Sequence, residues 1–178
     1  MAQHASSPGF FGKLARVLRH RWRDPRDAHR AVPRAMLQRL GQRVAASEAR
    51  HSGEIRICVE AGLPLSYLWR GLRARQRAVM LFGKLRVRDT EHNNGVLIYL
   101  LLAERAIEIV ADRGLNEHVS PDQWKALTHS MAEAFKLGDY EAGLTQALDE
   151  VSSLLVQYFP LAAGEQHRNE QPDQPTVL

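Results

Sequence analysis

Apolar positions recur along this chain in two rhythms, and the switches between them outline the elements. From Phe10 to Asp24, Phe11, Leu14, Leu18 and Trp22 fall three or four residues apart, which predicts an amphipathic helix closed by Asp24-Pro25. Pro33 to Arg50 repeats the pattern with Met36, Leu37, Leu40 and Val44, proline sitting in the first turn and Gly53 beyond the end. At Glu54 the period shortens to two. Ile55, Ile57 and Val59 share one face while Glu54, Arg56 and Glu60 share the other, predicting a strand covered on one side. Gly62-Leu-Pro64 then turns into a helix over 66–82, with Leu68, Leu72, Val79 and Met80 inward and Arg70, Arg73, Arg75 and Arg77 displayed. Gly95 to Leu102 is apolar on both faces and reads as the central strand, and a short turn at Ala103-Glu104-Arg105 leads to a third strand over 106–110. Ser120-Pro-Asp-Gln123 is a capping box opening a helix whose stripe is Trp124, Leu127, Met131 and Phe135. Gly138 ends that helix, and Asp139 caps a last one with Leu144, Leu148, Val151 and Leu155 inward, stopped by Pro160.

These elements predict an α/β fold, a three-layer-like sandwich with a small mixed sheet (central strand 95–102) flanked by helices. A helix between the first two strands implies a right-handed crossover and a parallel pair, and the short turn after Leu102 implies an antiparallel neighbour. The chain divides into a basic N-terminal segment with its amphipathic helix (1–32), an α/β domain (33–160) and a tail (161–178) that offers little to bury and is expected to be disordered.

Composition narrows the function classes. A lone Cys58 cannot build a disulfide framework. The longest apolar run, Val96 to Ala103, is eight residues, against roughly 20 for a membrane-spanning helix. With no signal-type apolar core at the N-terminus, the expected location is cytoplasmic, with a peripheral membrane contact open to the basic helix. Phosphate-cradling glycine loops, paired CxxC and HExxH motifs are absent, and no residue is assigned as catalytic.

The net charge of +4 conceals a division: residues 1–88 carry +14 and residues 89–178 carry −10. The basic part could meet a protein partner or, through the N-terminal helix, an anionic membrane surface, or the halves could neutralise each other on folding. A nucleic-acid partner is not expected, because the arginines of 70–88 lack interleaved aromatics and a docking motif. Topology adds the sharpest inference. The starts of the first two strands and the finish of the third must share one edge of the sheet. That gathers Glu54, Asp89, Glu91, Asn93, Asn94, Asp112 and Glu117, with His51, His92 and His118 nearby. Oxygen-rich loops of this kind suit Ca2+ or Mg2+. The metal-ligand candidates are Glu54, Asp89, Asn94, Asp112 and Glu117, with Arg113 placed to hold a phosphate or other anion.

Three stretches also resemble a known family. Asn93-Asn-Gly-Val-Leu-Ile-Tyr99, Arg105-Ala-Ile-Glu-Ile-Val-Ala-Asp-Arg-Gly-Leu115 and Phe135-Lys-Leu-Gly-Asp-Tyr-Glu-Ala-Gly143 together resemble the TPM-domain family over about residues 35–159. That family includes bacterial proteins and thylakoid-lumen proteins of photosystem II repair. The resemblance implies an α/β sandwich, a divalent-cation site, often calcium, in the acidic loops, and a proposed acid phosphatase activity in some plant members. Asn94 and Gly95 match the family's Asp-Asn-Gly turn, here begun by Asn93, and Asp139 and Gly143 match its Gly-Asp-Tyr segment, which adds Asp139 to the candidate ligands. The family's glycine-rich segment after the third strand reads Ala111-Asp112-Arg113-Gly114 in this chain. The expected function is therefore a TPM-like accessory or interaction domain with a divalent-cation site, the alternative being a metal-assisted phosphatase acting on phosphomonoesters.

Overall fold

The computed structural model describes residues 10–21, 25–162, 164 and 167–178. The N-terminal part holds α1 (Phe10–Arg21), α2 (Pro25–Ala31) and α3 (Arg34–Glu48). The first strand, β1 (Ile55–Glu60), is followed by α4 (Leu65–Trp69) and α5 (Ala74–Lys84), then by β2 (Val96–Leu101) and β3 (Ala106–Ala111). After α6 (Arg113–Asn116), α7 (Pro121–Leu137) and α8 (Tyr140–Tyr158), the described chain ends in β4 (Thr176–Val177). The sheet order is β3-β2-β1-β4, with β2 parallel to β1 and antiparallel to β3 as the connections require.

Strand alternation feeds two cores. Ile55, Ile57 and Val59, with Val96, Ile98 and Leu100, pack beneath α3, α7 and α8, while Cys58, Leu97, Tyr99 and Leu101 pack against α4 and α5. Helices on both faces make the mixed α/β sandwich. The capping box at Ser120 is formed, Gly138 takes the left-handed φ of 82°, and Asp139 caps α8 by accepting from the Ala142 N–H.

β1 is covered on both faces, not one. The reason is Glu60, which accepts hydrogen bonds from the Arg77 guanidinium (2.5 and 2.9 Å) and from the Tyr99 hydroxyl (2.6 Å) and is thereby buried. Arg77, expected on a displayed face, points inward because the helix expected over 66–82 is two helices. Gly71 at φ 68° closes α4, with its N–H on Leu68 O and the Leu72 N–H on Tyr67 O, and α5 restarts in a different phase. The same shift leaves Val79, expected inward, 51% exposed.

The expected disordered tail instead runs back along β1. Thr176 and Val177 pair with Cys58 and Val59, Leu178 N–H donates to Val59 O, and Arg56 reaches Pro172 O. The side of β1 away from β2 would otherwise be an open row of backbone donors and acceptors, and the Thr-Val-Leu ending supplies a strand for it. At the other end of the chain, α1 is docked. Arg16 donates to Glu104 Oε1 (2.7 Å) and Leu72 O, and His20 accepts from the Leu63 N–H at Nδ1 while its Nε2 meets Glu104 at 2.9 Å. The Phe11 side chain, Trp22 and Asp24, to which the sequence assigned the apolar stripe and stop of this helix, lie outside the described residues. Among the described residues no helix is long and apolar enough to cross a membrane. The pairs Arg16–Glu104, Arg39–Glu141 and Arg75–Glu108 join the basic half to the acidic one, so folding neutralises part of the division.

Hydrogen bonding from His20, reinforced by Arg16, pulls the Glu104 carboxyl down to about 2. A carboxyl depressed below its unfolded value stabilises the fold above that value and loses the contribution as pH falls through the folded one. Glu104→Gln is therefore expected to lower stability by about 1.5–3 kcal/mol at pH 7. In urea denaturation followed across pH, the gap from the unaltered protein should close between pH 4.5 and about 2.

Candidate functional site

Backbone hydrogen bonds sew the three loops together at one rim of the sheet. The Val96 N–H donates to Glu54 O (2.8 Å), Asp112 N–H to Gly95 O (2.9 Å) and Gly114 N–H to Asn93 O (3.0 Å). Glycines permit close backbone approach here, Gly114 between two of the loops and Gly95 against Val87 on the chain leading into its own loop. A Cβ on Gly95 would lie 2.0 Å from Val87 O, and one on Gly114 would lie 2.7 Å from Asn93 O. Asn94 is fully buried. Its N–H donates to Thr90 Oγ1 and its Nδ2 to Ser52 Oγ, while Oδ1 has no partner. Asp112 caps α6, Oδ1 accepting from the Arg113 N–H, and its Oδ2 is likewise buried without a partner. Buried oxygens left this way are costly, and a cation would relieve them.

The other expected ligands are dispersed. Asp89 is on this rim but is exposed and engaged by Arg86 at 2.9 Å and Arg88 at 3.7 Å. Glu117 is exposed at the C-cap of α6, and Arg113 is exposed beside it. Asp139 is not at the rim. The C-terminal end of α8 touches it, through the Ser52 N–H on Phe159 O, so the start of this 19-residue helix lies roughly 28 Å away. The histidines separate too. His118 stacks on Tyr158 with ring centroids 4.6 Å apart, and His92 is exposed. His51 is buried between Ser47 Oγ and Gly53 O, and burial depresses its imidazole to about 4. Burial also pushes the Cys58 thiol up to about 12, which removes it as a nucleophile.

The Glu54 side chain meets two residues that the sequence reading did not single out, Glu48 and His167. One oxygen each of Glu48 and Glu54 and a ring nitrogen of His167 all lie within 4.8 Å of one another. Glu48, at the end of α3, accepts the Ile55 N–H at Oε1, and Glu54 Oε1 accepts the Glu170 N–H. Side-chain exposures are 2%, 2% and 10% for Glu48, Glu54 and His167. Desolvation lifts the Glu48 carboxyl to about 9 and raises that of Glu54 as well. The signal for Glu48 was its place on the buried stripe, four residues after Val44. His167 carried no such signal within a polar segment.

A family model, that of the TPM domain, matches residues 27–154. Among solved structures, the NMR structure of the BA42 protein from the psychrophilic bacterium Bizionia argentinensis is similar at 26% identity with a TM-score of 0.68, over 80% of this chain and 92% of that one. The N-terminal domain of a protein from P. gingivalis, also an NMR structure, shares the fold at 18% identity with a TM-score of 0.59, over 82% of this chain and 90% of that one. No curated protein matches the chain.

The contact between Gly114 and the Asn93 loop leaves no room for an added methyl group. Gly114→Ala should cost about 1–3 kcal/mol, as overpacking against backbone does. Chemical shift changes at Asn93 and Asn94 should accompany the loss. An unaltered midpoint in urea would show that the loops are not in contact there.

Proposed function

We propose that this chain, which belongs to the TPM-domain family, is an accessory domain that binds a divalent cation of the calcium type in the loops at the sheet rim. The observation that carries this reading is the pair of buried, unpartnered oxygens, Asn94 Oδ1 and Asp112 Oδ2, on loops joined rung by rung. Calcium takes about six to eight oxygen ligands and accepts amide, carboxylate and backbone carbonyl donors alike. Asn94 and Asp112 would supply the side-chain oxygens, and Asp89 could join them by exchanging its exposed arginine partners. Bound there, the cation would stiffen the loops and set the charge of the surface offered to a protein partner. Arg19 of α1 is exposed, with Leu14 and Leu18 about half exposed on the same helix, and these would give the domain a means of meeting an anionic surface.

Calcium titration followed by backbone NMR tests the proposal. Shifts should be confined to residues 52–54, 89–95 and 112–117 and should disappear in a folded Asp112→Ala variant. Absence of saturable shifts in the unaltered protein would overturn it. Metal-dependent hydrolysis of a phosphomonoester, abolished by Arg113→Ala, would instead favour the phosphatase reading, with Asp89, Asn94 and Asp112 holding Ca2+ or Mg2+ and Arg113 orienting the phosphate.

A further inference from the structure

We propose that Glu48, Glu54 and His167 form a second, buried site for a zinc-class divalent cation, and that the ion pins the C-terminal segment onto β1. The site is independent of the calcium reading. It uses neither Asn94 nor Asp112, and His167 lies beyond the residues matched by the family model.

Two stretches distant in sequence converge there: the turn from the end of α3 to the residue before β1, which carries both glutamates, and the approach to β4, which carries His167. His167 Nδ1 lies 3.0 Å from His51 O, an acceptor only, so Nδ1 donates there and Nε2 is the ring nitrogen turned toward the two carboxylates. This is the second-shell arrangement that orients metal-binding histidines. Nε2 lies 3.1 Å from Glu54 Oε1 and 3.9 Å from Glu48 Oε2, yet makes no hydrogen bond with either. The remaining oxygens, Glu48 Oε2 and Glu54 Oε2, also lack hydrogen-bond partners. Ligands about 2.0–2.1 Å from a tetrahedral zinc stand roughly 3.3 Å from one another, so these separations bracket what the ion would require. Two carboxylates and an imidazole nitrogen facing one another in a buried place are costly alone and well matched to a dication. Imidazole selects zinc and its neighbours over calcium and magnesium, which prefer oxygen throughout, and a water would complete the fourth position.

The neighbouring contacts give the ion a structural consequence. Three residues after His167, the Glu170 N–H is already held by Glu54 Oε1, and the segment continues into the β4 pairing with β1. Holding His167 therefore holds the start of the segment whose end completes the sheet.

The experiment is zinc titration of the chelator-stripped full chain by calorimetry, with cobalt substitution read by visible absorption. One zinc per chain and the intense visible bands of tetrahedral cobalt are expected, together with slower amide exchange at Val177 and Leu178 on loading. His167→Ala should weaken zinc by more than about 10-fold, since even second-shell partners are worth about 10–100-fold. This variant alters only the segment outside the helical layers, and its two-dimensional NMR spectrum checks that the rest of the fold is intact. Asp112→Ala should leave zinc affinity unchanged while removing the calcium shifts, which separates failure of this site from failure of the rim. Absence of zinc uptake, or uptake with unaltered affinity in His167→Ala, would overturn the proposal.

Discussion

A parallel pair of strands cannot be closed by a hairpin, so the chain between β1 and β2 has to travel back along the sheet, and it does so as α4 and α5. The return places the starts of both strands on the same rim. The tight turn after β2 then reverses β3, whose finish arrives beside them. Everything chemically distinctive at that rim follows from this order of connections. It brings Glu54, Asn94 and Asp112 to adjacent rungs although 58 positions separate the first from the last.

Covering the sheet on both faces imposes a second constraint, because the face of β1 opposite Ile55, Ile57 and Val59 carries the charged Arg56 and Glu60. Glu60 is accommodated by a near-complete set of charge-assisted hydrogen bonds from Arg77 and Tyr99, with the Tyr67 ring 5.3 Å below the guanidinium. Removing one member would strand the others, so the network fixes how α5 sits even though a buried ion pair adds little net stability. Glu54 receives no comparable cation among the described residues. It meets the backbone of Glu170 and the ring of His167, both from the C-terminal segment, and this contrast sets the two buried glutamates of β1 and its approach apart.

Much of this was legible in the sequence where the signal was local or topological. The Ser120 capping box, the Gly138 stop and the Asp139 cap depend on neighbours a few residues away. The rim depended only on strand order and turn length. What escaped was long-range. β4 is two residues long and pairs with a strand 118 positions away, so nothing near Thr176 announces it. Arg77 and Val79 exchanged their expected roles because one glycine turn reset the helical phase. Asp139 shares a family segment but caps the far end of a long helix, which no spacing argument could reveal. Glu48 was hidden by expectation, since an acidic residue on an apolar stripe reads as the stripe's end until its partners are seen.

Amide hydrogen exchange measures the joining of the rim directly, rung by rung. The account predicts that the N–H groups of Val96, Asp112 and Gly114, donated to Glu54, Gly95 and Asn93, exchange as slowly as that of Ile98 in the middle of β2. Exchange of these three at the rate of exposed loop amides, with Ile98 still protected, would contradict it.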